Sequence, residues 1–448
     1  MANSVGLVNL GCAKNQVDGE IMLGALQRAG YEIKDDAALA DVAIVNTCGF
    51  ITAAKEEAIE EILELARLKK EGRIKAIVVT GCLAERYREE VRKEIPEADA
   101  VVGIGANGDI VSIVREVLEG KTNEVFPEKT LLPLCGERLL LTPSWSAYLK
   151  IAEGCSNRCS YCAIPMIRGK YRSRTLEDVE AEARRLAENG AKELILIAQD
   201  TTRYGMDLYG KPMLAELLRR LAKIDGVEWL RVLYAYPDTV TDELLQTIAE
   251  EKKVVKYIDL PIQHCNDEIL RSMRRRGTRA ELTALIQKMR AMVPNLVLRT
   301  TLIAGYPGET EEQFDELCTF VREMRFERLG CFAYSQEEGT VAAELPNQIE
   351  EDEKQRRAGM IMEIQMNLMQ DMGENMKGRV LRVLTEGFDR YADCWFGRSY
   401  MDAPDVDGKI YFRATGKKPV PGHFVRVKIT DCIDGDLTGE ITEEEETE

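Results

Sequence analysis

Short apolar runs alternate with stretches of helical periodicity over residues 1–120. Runs at 5–10, 41–46, 76–80 and 100–104 read as strands, and 20–28, 53–68 and 109–118 place apolar residues at the spacing of amphipathic helices. This alternation predicts an open parallel α/β sheet. Residues 121–142 lose the periodicity and contain Pro127 and Pro133, as an interdomain linker would. From 143 to 372 a strand-then-helix unit repeats, with strands at 148–152, 193–198, 229–234, 255–260, 296–301 and 329–333. The helical patterns among them include 176–189, 213–222, 241–250, 266–275 and 311–325. Six such units fall short of the eight of a closed barrel, so a partial (βα)6 barrel is expected. A charged, then methionine-rich helical stretch at 347–372 closes this part, its methionines serving packing. Beyond it the pattern turns all-β, at 379–384, 409–413 and 424–429. An all-β domain over 373–442 and an acidic solvated tail at 443–448 complete the expected organisation.

Composition narrows the function classes. The chain is 45% hydrophobic and 31% charged, ordinary for globular protein, and its net charge is -17 with pI near 5.0. Such a balance disfavours a surface built to grip phosphate and suits a basic partner. Residues 374–448 carry 11 Lys and Arg against 16 Asp and Glu, so the last domain is no basic patch either. No run of 18 apolar residues occurs, and Met1 to Ser4 lead straight into the first strand without a signal segment. A cytoplasmic protein with no membrane contact is expected.

The cysteines carry the chemistry. Cys155, Cys159 and Cys162 form a CxxxCxxC triplet after the first strand of the middle part. Three thiolates in one loop can hold a cubane 4Fe-4S cluster and leave one iron without a protein ligand. Structural zinc asks for four closed ligands, and His264 and His423 are the only histidines to lend. A disulfide scaffold is less expected in 448 residues, which bury an ample core without staples. In the first segment Cys12, Cys48 and Cys82 follow the first, second and third predicted strands. Carboxyl ends of parallel strands share one edge, where ligands bind. Any one of these cysteines alone would read as a small buried residue. Three in equivalent positions imply a second three-thiolate cluster, again with an open iron.

The spacing of Cys155, Cys159 and Cys162, with Tyr161 before the last, resembles the radical S-adenosylmethionine superfamily. With Cys12, Cys48, Cys82 and the run from Arg168 to Arg174, the chain resembles the methylthiotransferases over nearly its whole length. Three segments look like the RimO type, which modifies an aspartate of small-subunit ribosomal protein S-twelve: Leu10 to Asp18, Gln199-Asp200-Thr201, and Pro261 to His264. The tRNA-modifying MiaB type usually has an asparagine where Asp200 stands and a serine-glycine pair near His264 and Cys265. Gly19 departs from the serine common before Glu20. The C-terminal part resembles a TRAM domain, an OB-like barrel that can bind RNA.

The resemblance implies two 4Fe-4S clusters, held by Cys12, Cys48 and Cys82 and by Cys155, Cys159 and Cys162. S-adenosylmethionine would chelate the open iron of the second, and its one-electron cleavage would give a radical that removes hydrogen from the aspartate β-carbon. The first would carry the sulfur that becomes the methylthio group. A low-potential electron donor such as flavodoxin or ferredoxin, and a sulfur donor, are implied partners. Tyr161 and Ile164 would pack on adenine or simply shield the cluster, and Gly305 would bring backbone near adenine or serve a plain turn. Arg168 and Arg174 would bind cofactor or substrate carboxylate, or form an ordinary solvated loop. Arg271 and Arg274 to Arg276 suit a helix end, and His264 suits local hydrogen bonding. Cys318 and Cys331 read as core, while Cys135, Cys265, Cys394 and Cys432 have no partner spacing. Two rivals stand beside this reading: the same chemistry on a tRNA adenosine, and a non-enzymatic iron-sulfur redox sensor with an RNA-binding tail.

Overall fold

The computed structural model describes residues 3–414 and 418–447. Met1 and Ala2 of the stretch leading into the first strand, and Glu448 of the tail, lie outside the described residues. In the first domain six parallel strands follow the spatial order Glu32–Lys34, Ser4–Asn9, Val42–Thr47, Ala76–Gly81, Ala100–Val102, Asn123–Val125. The two central strands are Val/Ile-rich and wholly buried, because helices cover both faces. Successive side chains therefore enter different cores. Ala43, Val45, Ile77 and Val79 meet Ile62 and Leu65 of the helix Thr52–Lys70. Val42, Ile44, Ala76 and Val78 meet Met22 of Ala13–Arg28 and Ile113 of Ile110–Leu118.

The edge strands Glu32–Lys34 and Asn123–Val125 are short and polar, so no apolar run announced them. The second lies in the stretch expected to be linker. The rest of that stretch is also bound in place: Arg138 forms ion pairs with Glu20 at 3.4 Å and Glu182 at 3.1 Å, both sides buried. The aperiodic sequence reflects a strap laid between two domains, held by neighbours on both sides as well as by a short turn of its own at Lys129–Leu131.

In the second domain six parallel strands wind in strict sequence: Ser146–Lys150, Glu193–Ile197, Trp229–Val232, Val254–Asp259, Val297–Ala304 and Arg328–Ala333. The sheet is open, and its helices start on caps the sequence supplies: Thr175, Thr241, Thr278 and Thr310 each accept from a first-turn amide. Each cap contributes about 1 kcal/mol. Leu149, Leu194, Leu196, Val232 and Leu298 pack under these helices. The opposite face, with Tyr148, Ile195, Ile197, Trp229 and Tyr257, is covered by Val17 and Ile21 of the first domain and by Leu384 and Ala403 of the third. The long helix Glu351–Glu374 runs from the last strand to the third domain.

The third domain is a closed barrel of Val380–Asp389, Cys394–Arg398, Ile410–Arg413, Asp436–Ile441 and Phe424–Ile433. The strands Cys394–Arg398 and Asp436–Ile441 escaped the sequence reading because they mix polar residues and glycine. The tail is not simply solvated: the Thr447 amide donates to the Val380 carbonyl at 3.0 Å, and Lys428 pairs with Glu444 at 2.8 Å. Among the described residues no helix is long and apolar enough to cross a membrane.

Candidate active site

Parallel strands bring Cys12, Cys48 and Cys82 to one sheet edge. Cys12 caps the helix Ala13–Arg28, Cys48 follows Val42–Thr47, and Cys82 opens the helix Cys82–Glu94 directly after Ala76–Gly81. The turn before Cys82 depends on Gly81, whose φ is +95° and whose added Cβ would stand 2.5 Å from the Thr47 backbone. Asn15 ties the edge together by donating to the carbonyls of Leu10 at 2.7 Å and Asn46 at 3.2 Å. The thiols lie close enough to feel one another. Burial pushes Cys82 up to about 12, with Arg168 opposing, and burial also raises Cys48. Against the cost of desolvation, Lys14 and Arg168 hold Cys12 below the usual thiol range.

The second triplet is a single loop. Gly154 precedes it at φ +74°, with an added Cβ 2.3 Å from the Lys170 carbonyl, and the Cys155 amide donates to Gly169 at 3.0 Å. Asn157 donates to Asp200 at 2.9 Å, and Arg203 reaches both. Ser160 shares a hydrogen bond with Tyr306 at 2.8 Å. Buried Arg275 stacks on Tyr236 at 4.2 Å and donates to Tyr161 at 3.3 Å and to Cys159 Sγ at 3.8 Å. Burial raises Cys155 to about 11 and Cys162 further.

The two triplets meet. Cys82 packs against Ala163 and Ile167, which follow Cys162 on the next turn of chain and the helix Ile164–Arg168. Arg168 Nη2, at the end of that helix, donates to Cys82 Sγ at 3.5 Å and to Asn15 at 3.0 Å. Its Nη1 pairs with Asp18 at 2.6 Å and Glu153 at 3.1 Å, and Lys150 pairs with the same two carboxylates. All four charged groups are buried, and each has opposite charge on more than one side, the condition under which buried ions are tolerated. A second clasp lies beyond Cys48: Glu337 accepts from Arg86 at 2.7 Å and Lys55 at 3.0 Å, and Arg86 also donates to the Gly49 carbonyl.

Several predicted residues take other places. Arg168 is wholly buried rather than part of a solvated loop. Arg174 is buried too, its guanidinium turned to Asp178 at 2.7 Å, Glu182 at 2.5 Å and the Lys150 carbonyl at 2.8 Å, so it fastens the helix Leu176–Glu188. Gly305 gives its amide to Glu309 at 3.1 Å and lies under the Lys354 side chain, so its neighbour is the long helix. Tyr161 and Ile164 stand in and just after the cysteine loop, both half-buried. His264 is buried, accepts from the Asn266 amide at 3.0 Å and lies 3.3 Å from Glu309. Cys265, Cys318 and Cys432 are buried. Lys150, Glu153 and Asn157 had no role in the sequence reading, and Lys14 and Asp18 entered it only within the run from Leu10 to Asp18. One signal was available, the lone charges Lys150, Glu193 and Arg231 in otherwise largely apolar strands.

The donors suit soft metal: thiols in two groups of three, each with a guanidinium alongside. Among the described residues no three His, Cys, Asp or Glu side chains converge as ligands of a single ion. A cubane makes a different demand, because its cysteines bind separate irons and surround a cluster.

Comparisons with known proteins agree with this architecture. Residues 149–321 match the Radical SAM superfamily, 4–103 the Uncharacterized protein family UPF0004, and 378–442 the TRAM domain. Among curated relatives, the ribosomal protein uS12 methylthiotransferase RimO of Desulforamulus reducens is 50% identical over 98% of this chain and 100% of its own. The RimO proteins of Thermoanaerobacter sp. and Clostridioides difficile are 49% and 47% identical, each over 98% of this chain and 99% and 98% of their own. Among solved structures, the radical S-adenosylmethionine methyltransferase TsrM of Kitasatospora setae superposes with TM-score 0.55 at 15% identity, covering 74% of this chain and 73% of that one, a likeness of fold. Full-length identity near one half, with all three domains matched in order, places the chain in the RimO family of radical SAM methylthiotransferases.

Proposed function

We propose that the protein adds a methylthio group to the β-carbon of an aspartate of ribosomal protein uS12, using two 4Fe-4S clusters and S-adenosylmethionine. The observation that supports this reading is the packing of Cys82 on Ala163 and Ile167, the residues that follow the second triplet. Cys12, Cys48 and Cys82 would hold one cluster, and Cys155, Cys159 and Cys162 the other. Bound there, the clusters would supply one-electron cleavage of S-adenosylmethionine on one side and a sulfur-carrying iron on the other. The chain's own residues hold and shield these groups. Arg275 sets a fixed positive charge beside Cys159, and Arg168 beside Cys82 opposes the effect of burial on that thiol. Tyr161, Ile164, Ala163 and Ile167 supply apolar cover that keeps water from the loop. Asn157, Asp200 and Arg203 fasten the loop between Cys155 and Cys159. A low-potential reductant such as flavodoxin or ferredoxin, and a sulfur donor, are the partners this chemistry requires. The acidic chain, at net charge -17, suits a basic protein substrate better than a polyanion.

The test is direct. Reconstituted enzyme with reductant and S-adenosylmethionine is given uS12 or tRNA, and mass spectrometry is read for one added methylthio group. Product on uS12 is expected; product on tRNA alone overturns the reading. Iron analysis should give about eight per chain, and about four would remove the first-domain cluster.

A further inference from the structure

Two segments run against the acidity of the chain. Residues 154–176 carry five Lys or Arg and residues 271–280 carry five Arg, with no Asp or Glu in either, in a protein of net charge -17. The fold brings them together at the second cysteine triplet. The Cys155 amide donates to the Gly169 carbonyl at 3.0 Å and the Tyr171 amide to Ser156 Oγ at 3.2 Å, which sets Lys170 against the start of the loop. From the loop's other side, the Ser160 amide donates to the Met273 carbonyl at 3.0 Å and its hydroxyl to the Ser272 carbonyl at 2.8 Å. These bonds seat the loop on the end of the helix Asp267–Ser272 and the turn that carries Arg274 and Arg276.

The ten cations divide by surroundings. Arg168, Arg174 and Arg275 are buried, Arg172 donates to the carbonyls of Lys129 and Thr130, and Arg279 pairs with Glu316 and Glu323. Arg158, Lys170, Arg271, Arg274 and Arg276 are exposed. Arg276 meets Asp238 at 3.1 Å, and among the described residues the other four form no ion pair. A helix end draws a cation to its last carbonyls, which accounts for Arg271 but not for the rest. The patch has a boundary: Ala342 donates to the Ser160 carbonyl at 2.8 Å, and on that side exposed Glu338 and Glu344 take over.

Charge of one sign gathered on a surface steers a partner of the opposite sign. The loop at its centre belongs to the triplet whose cluster must receive an electron from outside. Resting on the function proposed above, we propose that Lys170, Arg271 and Arg274, with Arg158 on the loop between them, dock an acidic one-electron carrier protein over the Cys155 to Cys162 loop. In that step one electron leaves the reduced carrier and enters the cluster; no bond forms or breaks and no proton moves. Ribosomal RNA is drawn by the same charge, but its docking has no need of this loop, whereas a carrier must come close to it.

The test titrates holoenzyme with an acidic flavodoxin as probe and reads its Kd, the rate of 5'-deoxyadenosine release and the iron content. Wild type is set against the triple variant Lys170→Glu, Arg271→Glu, Arg274→Glu, with Arg158 kept because it adjoins Cys159. The variant should raise the flavodoxin Kd and lower the flavodoxin-driven rate, each about ten- to hundred-fold at low salt. Its rate in excess dithionite and its iron content should match wild type. Wild-type Kd should rise between about 10 mM and about 150 mM salt as screening shortens the reach of charge, and the variant's should rise less. An unchanged Kd overturns the proposal, as does an equal loss of rate with dithionite, which would tie these cations to the cluster itself. A variant that keeps its flavodoxin Kd and loses affinity for ribosomal RNA overturns it too, and gives the patch to a polyanion. Arg274 has φ +54°, so should the triple variant fail to fold, the pair Lys170→Glu, Arg271→Glu leaves that turn alone and should still raise Kd at least about fivefold; a wild-type Kd indifferent to salt overturns the proposal with no variant at all. Failure of the functional reading looks different, since wild type would then leave uS12 unmodified even with dithionite.

Discussion

The two cysteine triplets are built by opposite routes. Cys155, Cys159 and Cys162 sit in one loop whose shape comes from a few neighbours: Gly154, Asn157, and the Gly169 carbonyl. Cys12, Cys48 and Cys82 are separated by a helix each and converge only because three parallel strands end at one edge. A loop can keep its cysteines together while much of the fold is loose. A strand-end triplet exists only when the first sheet is assembled, and the second domain is docked against it through Arg168, Asp18, Lys150 and Glu153. The comparison teaches that local and global sites can present the same donors while depending on different parts of the folding free energy.

The largest expected effects come from the cysteines. Cys155→Ala should remove about four iron and abolish 5'-deoxyadenosine release, while Cys82→Ala should remove about four iron and leave that release in place without methylthio product. Both are read by iron analysis and product chromatography on the same preparations. Loss of 5'-deoxyadenosine in Cys82→Ala would break the division of labour between the triplets.

The same contrast explains what was legible in the sequence. The CxxxCxxC loop could be read from spacing alone. The other triplet became legible through strand order, because Val42–Thr47 and Ala76–Gly81 are continuous apolar runs with a cysteine placed after each. The sheet topology and the barrel were legible for the same reason, buried parallel strands being apolar on both faces. Asn123–Val125 was not, since a polar edge strand has no pattern to show. Nor were the clasps: Arg168 and Asp18 are 150 positions apart, and no local periodicity encodes such a pair. Arg174 misled because a basic loop residue and a buried helix fastener have the same sequence appearance.

A control is needed for stability as such, and Glu193 supplies it. It lies far from both triplets in the seam with the third domain, accepting from Arg398 at 2.7 Å and Arg231 at 2.8 Å. Burial opposes its ionisation, yet the two guanidiniums hold it down to about 2. Glu193→Gln leaves buried Arg231 without its anion and Arg398 with Glu386 alone, and should cost about 3–5 kcal/mol in urea unfolding, while iron per folded chain stays near the wild-type value. Because the folded pKa lies below the unfolded value of about 4.3, the stabilisation is present above that value and is lost as pH falls toward about 2. Wild type should therefore lose about 3 kcal/mol over that window that Glu193→Gln does not. Selective loss of one cluster in this variant would mean that general destabilisation sorts the triplets by itself.

Two glycines then sharpen the contrast at the triplets. Gly81→Ala and Gly154→Ala each force a Cβ into backbone at a positive φ, 2.5 Å and 2.3 Å away respectively. Each should cost about 2–3 kcal/mol. The cost at Gly81 falls on the sheet, so unfolding of the first domain and loss of its iron should go together. The cost at Gly154 falls on the loop, so 5'-deoxyadenosine release should drop while the unfolding midpoint of the first domain stays put. Equal behaviour of the two variants would break the distinction between a global and a local site.

The smallest effect is expected at a cysteine that belongs to neither triplet. Cys135 is exposed on the strap between the first two domains and lies near Asp178, far in sequence from the strand ends. Its thiol fills no core, so Cys135→Ser should change stability by less than about 0.5 kcal/mol. Iron content, 5'-deoxyadenosine release and methylthio product should match wild type. A fall in iron with this variant would add a fourth thiol to one cluster and close the open iron on which the contrast between the triplets rests, so a null result here carries as much information as the losses at Cys82 and Cys155.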